Sequence, residues 1–138
     1  MREGWHDDDY LVLMSDQEGS DASRGYEIHR YLPGYQIVGL RSWDDFIVRD
    51  ARRGIFTVPT VPMDPHYLAA WTLPPDSTLL KPDSRFTGQT KWYTKPLIFG
   101  GNASDPTNTL WVSREQHMQL VTWWNLQYQE ARVDSGDA

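Results

Sequence analysis

Six of the nine prolines fall at positions 59, 62, 65, 74, 75 and 82. Proline has no backbone N–H to donate and holds φ near about −65°, so residues 59–82 can form neither a long helix nor a central strand. They read as an ordered crossover pinned by aromatic side chains. Within it, Asp64-Pro65 suits the cap and first turn of a short helix running through Trp71.

Ahead of the crossover the apolar runs are short. Residues 10–14 form one such run, bounded by acids and followed by Ser15 to Asp21, which predicts a first strand and then a loop or short helical turn. Tyr26, Ile28 and Arg30 share one face of the next run, with Glu27 and His29 on the other, until Leu32-Pro33-Gly34-Tyr35 forces a turn. Extended chain resumes over 35–40. Residues 45–50 and 55–58 are β-branched and aromatic runs around a polar turn ending in Gly54, the pattern of a hairpin.

Beyond the crossover a strand is expected around 91–94 or 96–99, and Gly100-Gly101-Asn102-Ala103-Ser104-Asp105-Pro106 is a turn-rich loop. Ser113-Arg114-Glu115-Gln116 spells a capping box. His117, Val121, Trp124 and Tyr128 then recur at helical spacing, and Leu120 and Trp123 widen the stripe into a core-facing band. No repeat is visible, which excludes solenoids and propellers.

A chain of 138 residues supports one domain with one core. The polar ends, 1–9 and 133–138, are expected to fray. The expected fold is α+β, a single domain with a twisted antiparallel sheet flanked by helices and a C-terminal amphipathic helix. Seven Trp, seven Tyr and four Phe argue against disorder. A net charge of −6 argues against phosphate-neutralising surfaces for nucleic acid or anionic membranes and favours a basic partner. Without cysteine there is no disulfide, thiolate zinc site, iron–sulfur cluster or cysteine nucleophile. The first residues lack the basic start and apolar run of a secretory signal, and no stretch approaches about 18 apolar residues, so a cytoplasmic, soluble protein is expected.

No catalytic pattern assembles. The four histidines, at 6, 29, 66 and 117, include no i, i+4 metal pair, and neither a Gly-x-Ser-x-Gly elbow nor a Ser-x-x-Lys motif is present. Gly100-Gly101-Asn102 lacks the lysine and the immediate helix of a phosphate loop. Asp44 and Asp45 look placed, yet neighbours on a strand point to opposite faces, and turn or strand-capping duty is their ordinary role. No metal and no cofactor is expected.

Binding candidates are clearer. Asp7, Asp8, Asp9, Asp16, Glu18 and Asp21 are six of the seven acids in the first 21 residues, and Trp5 and Trp43 lie near acids in sequence. Aromatic anchors with steering carboxylates are an interface composition, although the same acids serve solubility and the same tryptophans serve a core. Arg41, Trp43, Asp44 and Asp45 join those acids as contact candidates, while Leu120, Val121 and Trp124 are assigned to the core. An alternative is a small-ligand or peptide-binding module, with Trp71, Trp92, Tyr93 and Trp111 lining an apolar pocket. A third reading is an enzyme pairing Asp45 with His29 or His66, which requires those groups to converge.

The stretch Tyr31-Leu32-Pro33-Gly34-Tyr35-Gln36-Ile37-Val38-Gly39, then Asp44, Phe46-Ile47-Val48-Arg49-Asp50, Gly54 and Ile55-Phe56-Thr57-Val58-Pro59-Thr60-Val61-Pro62-Met63, resembles the SMI1/KNR4 (SUKH) superfamily. The likeness spans roughly 10–63. The later Gly100 to Pro106 loop and the segment from Trp111 through Trp123-Trp124-Asn125 look like C-terminal parts of bacterial immunity-like proteins. The resemblance implies a non-enzymatic α+β domain, an immunity protein that binds and blocks a cognate toxin delivered by contact-dependent or type VI secretion, a basic nuclease-type effector being one candidate. It implies no catalytic residues, and a monomer or weak homodimer is expected.

Overall fold

The computed structural model describes residues 1–74 and 79–134, with the side chains of 133 and 134 left aside. The protein is a single α+β domain built on a six-stranded antiparallel sheet. Its strands are β1 (Arg2–His6), β2 (Asp9–Leu13), β3 (Gln36–Arg41), β4 (Asp45–Arg49), β5 (Ile55–Pro59) and β6 (Ala69–Ala70), and they pair in chain order. A separate ribbon joins β7 (Thr90–Tyr93) to β8 (Thr109–Val112). Two helices, α1 (Asp16–Gly25) and α2 (Arg114–Asp134), complete the domain.

Local chemistry explains most boundaries. Asp50 closes the β4–β5 hairpin, its Oδ1 accepting the amides of Arg52 at 3.0 Å and Gly54 at 2.7 Å. The predicted capping box of α2 is present: Ser113 Oγ accepts the Gln116 amide at 3.1 Å, and Gln116 Oε1 accepts the Ser113 amide at 3.0 Å. The Asp64 carboxylate caps the crossover turn by accepting the His66 amide, but that 3-10 turn ends at Tyr67. Leu68 is extended, and Ala69–Ala70 adds to the sheet beside β5.

Several expectations need correction. The stretch after β2 is a ten-residue helix, started by a second capping box between Ser15 and Glu18. The run containing Ile28 is a 3-10 turn, not a strand, because Glu27 takes a left-handed φ of 56° and reverses the chain. Of the two places expected to hold a strand after the crossover, the one around 91–94 carries it as β7, and Leu97–Phe99 is a 3-10 turn. Residues 2–6 are not frayed: β1 pairs with β2, and Trp5 exchanges backbone hydrogen bonds with Lys81 at 2.8 and 3.0 Å. At the other end α2 extends through 134, and 135–138 lie outside the described residues.

The sheet buries both faces unequally. On the larger side Tyr10, Val12, Leu40, Phe46, Val48 and Val58 pack with Ala22 of α1, Val121 of α2, and Trp92 and Val112 of the ribbon. The opposite side buries Leu11, Leu13 and Ile47 under Trp71 and Leu80. Val121 is fully buried, with Leu120 and Trp124 packed against the core, as expected. Trp123 is not part of that face: it is 54% exposed and meets Trp124 edge-on.

Asn125, fully buried, ties α2 to the proline-rich crossover. Its Oδ1 accepts the Met63 amide at 2.7 Å, and its Nδ2 donates to the carbonyls of Thr60 at 2.8 Å and Val121 at 2.9 Å. Nearby Asp64 accepts from Tyr128 Oη at 3.0 Å and Arg132 at 2.9 Å. These bonds give the crossover a fixed course between β5 and α2.

Candidate functional site

A cleft of about 290 Å³ opens where the β3–β4 turn, the start of the crossover at 59–62 and strand β7 meet. The turn is unusual in sequence terms, because Ser42 and Trp43 both take left-handed backbone conformations, with φ of 46° and 61°. A non-glycine residue pays roughly 1–2 kcal/mol for that geometry. Packing offsets the strain: the Trp43 ring stacks on Tyr10 at 4.6 Å and meets Trp5, Phe86 and Trp111 edge-on. Backbone bonds from Ser42 to Tyr10 at 2.6 Å and from Thr60 to Asp44 at 3.0 Å fix the turn to its neighbours.

One end of the cleft is polar. Lys91 Nζ lies 3.0 Å from Asp44 Oδ2 and 3.0 Å from Tyr93 Oη, and the Tyr93 hydroxyl donates to the same Asp44 oxygen at 3.2 Å. The ammonium also lies 4.8 Å from the centre of the Tyr93 ring. Burial lowers the Lys91 pKa, but the Tyr93 hydrogen bond and the Asp44 charge outweigh it, so the group stays charged with a pKa above the usual lysine value. Asp45 borders the cleft where β4 begins. Burial, and after it the charge of Asp44, raise its carboxyl above the ordinary range. The remaining wall is apolar, formed by Pro62, Trp92, Leu97 and Ile98, with Tyr67 at the rim.

The binding candidates from sequence do not form one face. Asp44 and Asp45 meet at the cleft and diverge, Asp44 toward Lys91, while Asp45 pairs in register with Arg41. Asp9 holds Arg41 at 3.2 Å, and Arg41 lies over the Trp71 ring at 5.6 Å. Asp7 and Asp8 are exposed in the β1–β2 turn. Asp16, Glu18 and Asp21 belong to α1, where Asp16 lies 3.9 Å from Arg49, Glu18 pairs with the terminal amine at 3.0 Å, and Asp21 pairs with Arg24. The Ser15 amide and then the terminal amine lower the Glu18 carboxyl to about 2. Glu18 and Asp21 instead edge a second cavity of about 250 Å³, beside Met1, Met14 and Met118.

Trp43 is only 6% exposed, because the left-handed turn drives its indole into the aromatic cluster, and the same residue lines the turn side of the cleft. Of the four residues proposed for an apolar pocket, Trp92 and Tyr93 line the cleft; Trp71 and Trp111 pack elsewhere, against the second core cluster and Phe86. Neither His29 nor His66 lines the cleft beside Asp45. Sequence reading missed Lys91, although its i, i+2 spacing from Tyr93 on a strand places both on one face.

Among the described residues no group of three or more His, Asp or Glu could hold a metal ion, and no helix is long and apolar enough to cross a membrane. No protein-family model, curated protein or solved structure matches the chain.

Proposed function

We propose that this protein acts by binding, as an immunity protein of the SUKH type that captures and blocks a cognate, basic bacterial toxin in the cytoplasm. The observation that carries the reading is the cleft: a cavity with apolar walls and a carboxylate-bearing end, on a domain whose net charge is −6. Carboxylates speed the encounter with a basic partner, and apolar walls slow its release. The resemblance of roughly residues 10–63 to that superfamily suggests the biological setting. Affinity capture from the source cells, with size-exclusion analysis, tests the proposal. A stoichiometric complex with one basic protein whose toxicity is suppressed supports it; recovery of the domain alone from cells expressing the candidate toxin overturns it.

A small-ligand or peptide-binding module is the second reading. It is favoured by Trp92 and Tyr93 lining a cavity close to the size of ordinary ligand sites.

A further inference from the structure

The charges around the cleft do not balance. Asp9, Asp44 and Asp45 face two cations, Arg41 and Lys91, which leaves one net negative charge. Both cations are engaged, Arg41 by Asp9 and the Trp71 ring, Lys91 by Asp44 Oδ2 and Tyr93. Asp44 Oδ1 accepts no hydrogen bond from the described residues, and the Asp45 carboxylate makes neither a hydrogen bond nor an ion pair with them. The Asp44 side chain is 40% exposed, so its spare oxygen can be reached from the cleft.

Three kinds of occupant can be weighed on this geometry. An anion meets net negative charge and an ammonium already neutralised. A purely apolar side chain would cover Asp44 and Asp45 without replacing the water they lose, which costs free energy. A long basic side chain answers both halves of the site: its head supplies the missing charge, and its methylene stem lies along Trp92, Leu97 and Ile98.

We propose that the cleft seats an arginine or lysine side chain projected by a polypeptide partner, with the cationic head at Asp44 and Asp45. This rests on the binding function proposed above and names the chemistry the partner must present.

The test is a nuclear magnetic resonance titration of the full chain with three acetylated, amidated tripeptides: Gly-Arg-Gly, Gly-norleucine-Gly and Gly-Glu-Gly. The arginine peptide is expected to shift the amides of residues 43–45 and 91–93 saturably, with affinity that falls as salt rises. Asp45→Asn should weaken it about tenfold and Lys91→Met strengthen it several-fold, opposite signs that a steric role does not produce. Asp45→Glu should recover binding, and amide dispersion checks that each variant folds. Equal binding of the norleucine peptide, preference for the glutamate peptide, or no shift with arginine each overturns the proposal. A captured protein partner that binds wild type, Asp45→Asn and Lys91→Met equally would overturn the cleft as its seat while leaving the binding function intact. Failure to capture any partner would instead count against that function, with the tripeptides still deciding the cleft.

Discussion

The Tyr26 hydroxyl lies 2.7 Å from Nδ1 of His117, in a part of the core where His117 has no exposed surface and its Nε2 has no hydrogen-bond partner among the described residues. Trp92 closes the site edge-on, its ring centre 5.8 Å from the imidazole. Burial lowers the His117 pKa to about 4, because a charged imidazolium there would lose its water without gaining a counter-ion.

That depression sets a direction for stability against pH. An unfolded chain protonates His117 near its ordinary value of 6.5, whereas the folded protein resists until about 4. Stability is therefore fully present above pH 6.5 and is lost as pH falls toward 4, by about 3 kcal/mol from this group. Urea unfolding at pH 7.5 and pH 5 should show the drop while most carboxylates remain ionised. His117→Gln should flatten the dependence; an unchanged slope in that variant would rule out this origin.

Asn125→Ala should destabilise the domain by about 2–4 kcal/mol, since it strands the Met63 amide and the Thr60 carbonyl in the core. Chemical denaturation measures the loss. Because those bonds hold the crossover, the amides of Thr60, Val61 and Met63 should exchange with solvent faster than the β2–β3 ladder does. Uniform acceleration across the sheet would show that Asn125 does not act locally.

Gly39 sits beside the β-bulge between β3 and β4, and a Cβ there would lie 2.3 Å from the Val12 carbonyl oxygen. The clashing atom is backbone and cannot swing aside, and the Ile47 side chain closes in at 3.4 Å. Gly39→Ala should cost about 1–3 kcal/mol and lower the melting temperature, whereas Gly34→Ala, with open space around its Cβ, is strained only by its left-handed φ of 87°. A melting temperature unchanged by Gly39→Ala would mean that β2 and β3 are less closely apposed than described.

Ser113→Ala removes one half of the capping box that starts α2 and should cost about 1 kcal/mol, read by urea denaturation. Ser113→Asp should retain most of the stability, because its carboxylate can accept the same amide. Equal losses in the two variants would assign the effect to the helix's surroundings and not to its cap.

What was legible in the chain follows the range of the forces involved. The β4–β5 hairpin and the α2 cap are written in contiguous residues, Asp50 to Gly54 and Ser113 to Gln116, so they could be read directly. Helix α1 carries the same box at Ser15 and Glu18 but lacks an apolar stripe. It lies against β3 through Gly19, Ala22 and Ser23, whose Oγ accepts the Ile37 amide at 2.8 Å, and small residues give no periodic signal. β1 was hidden because its polar residues are held by distant partners, Trp5 by Asp83 and Glu3 by Arg114. The cleft was half visible. Asp44, Trp92 and Tyr93 were singled out, but Lys91 is 47 residues from Asp44, and nothing local predicts their meeting.

The agreement between strand order and chain order also governs how the protein is made. A nascent chain leaving the ribosome can add each strand to the one before it, the longest connection being the one that carries α1 between β2 and β3. Yet the plate of Tyr10, Phe46 and Val48 stays partly bare until α2, which follows all eight strands in the chain, brings Val121 onto it. For that interval the growing chain carries greasy surface that its own later residues are meant to cover, the stage at which an unfinished chain is most open to aggregation.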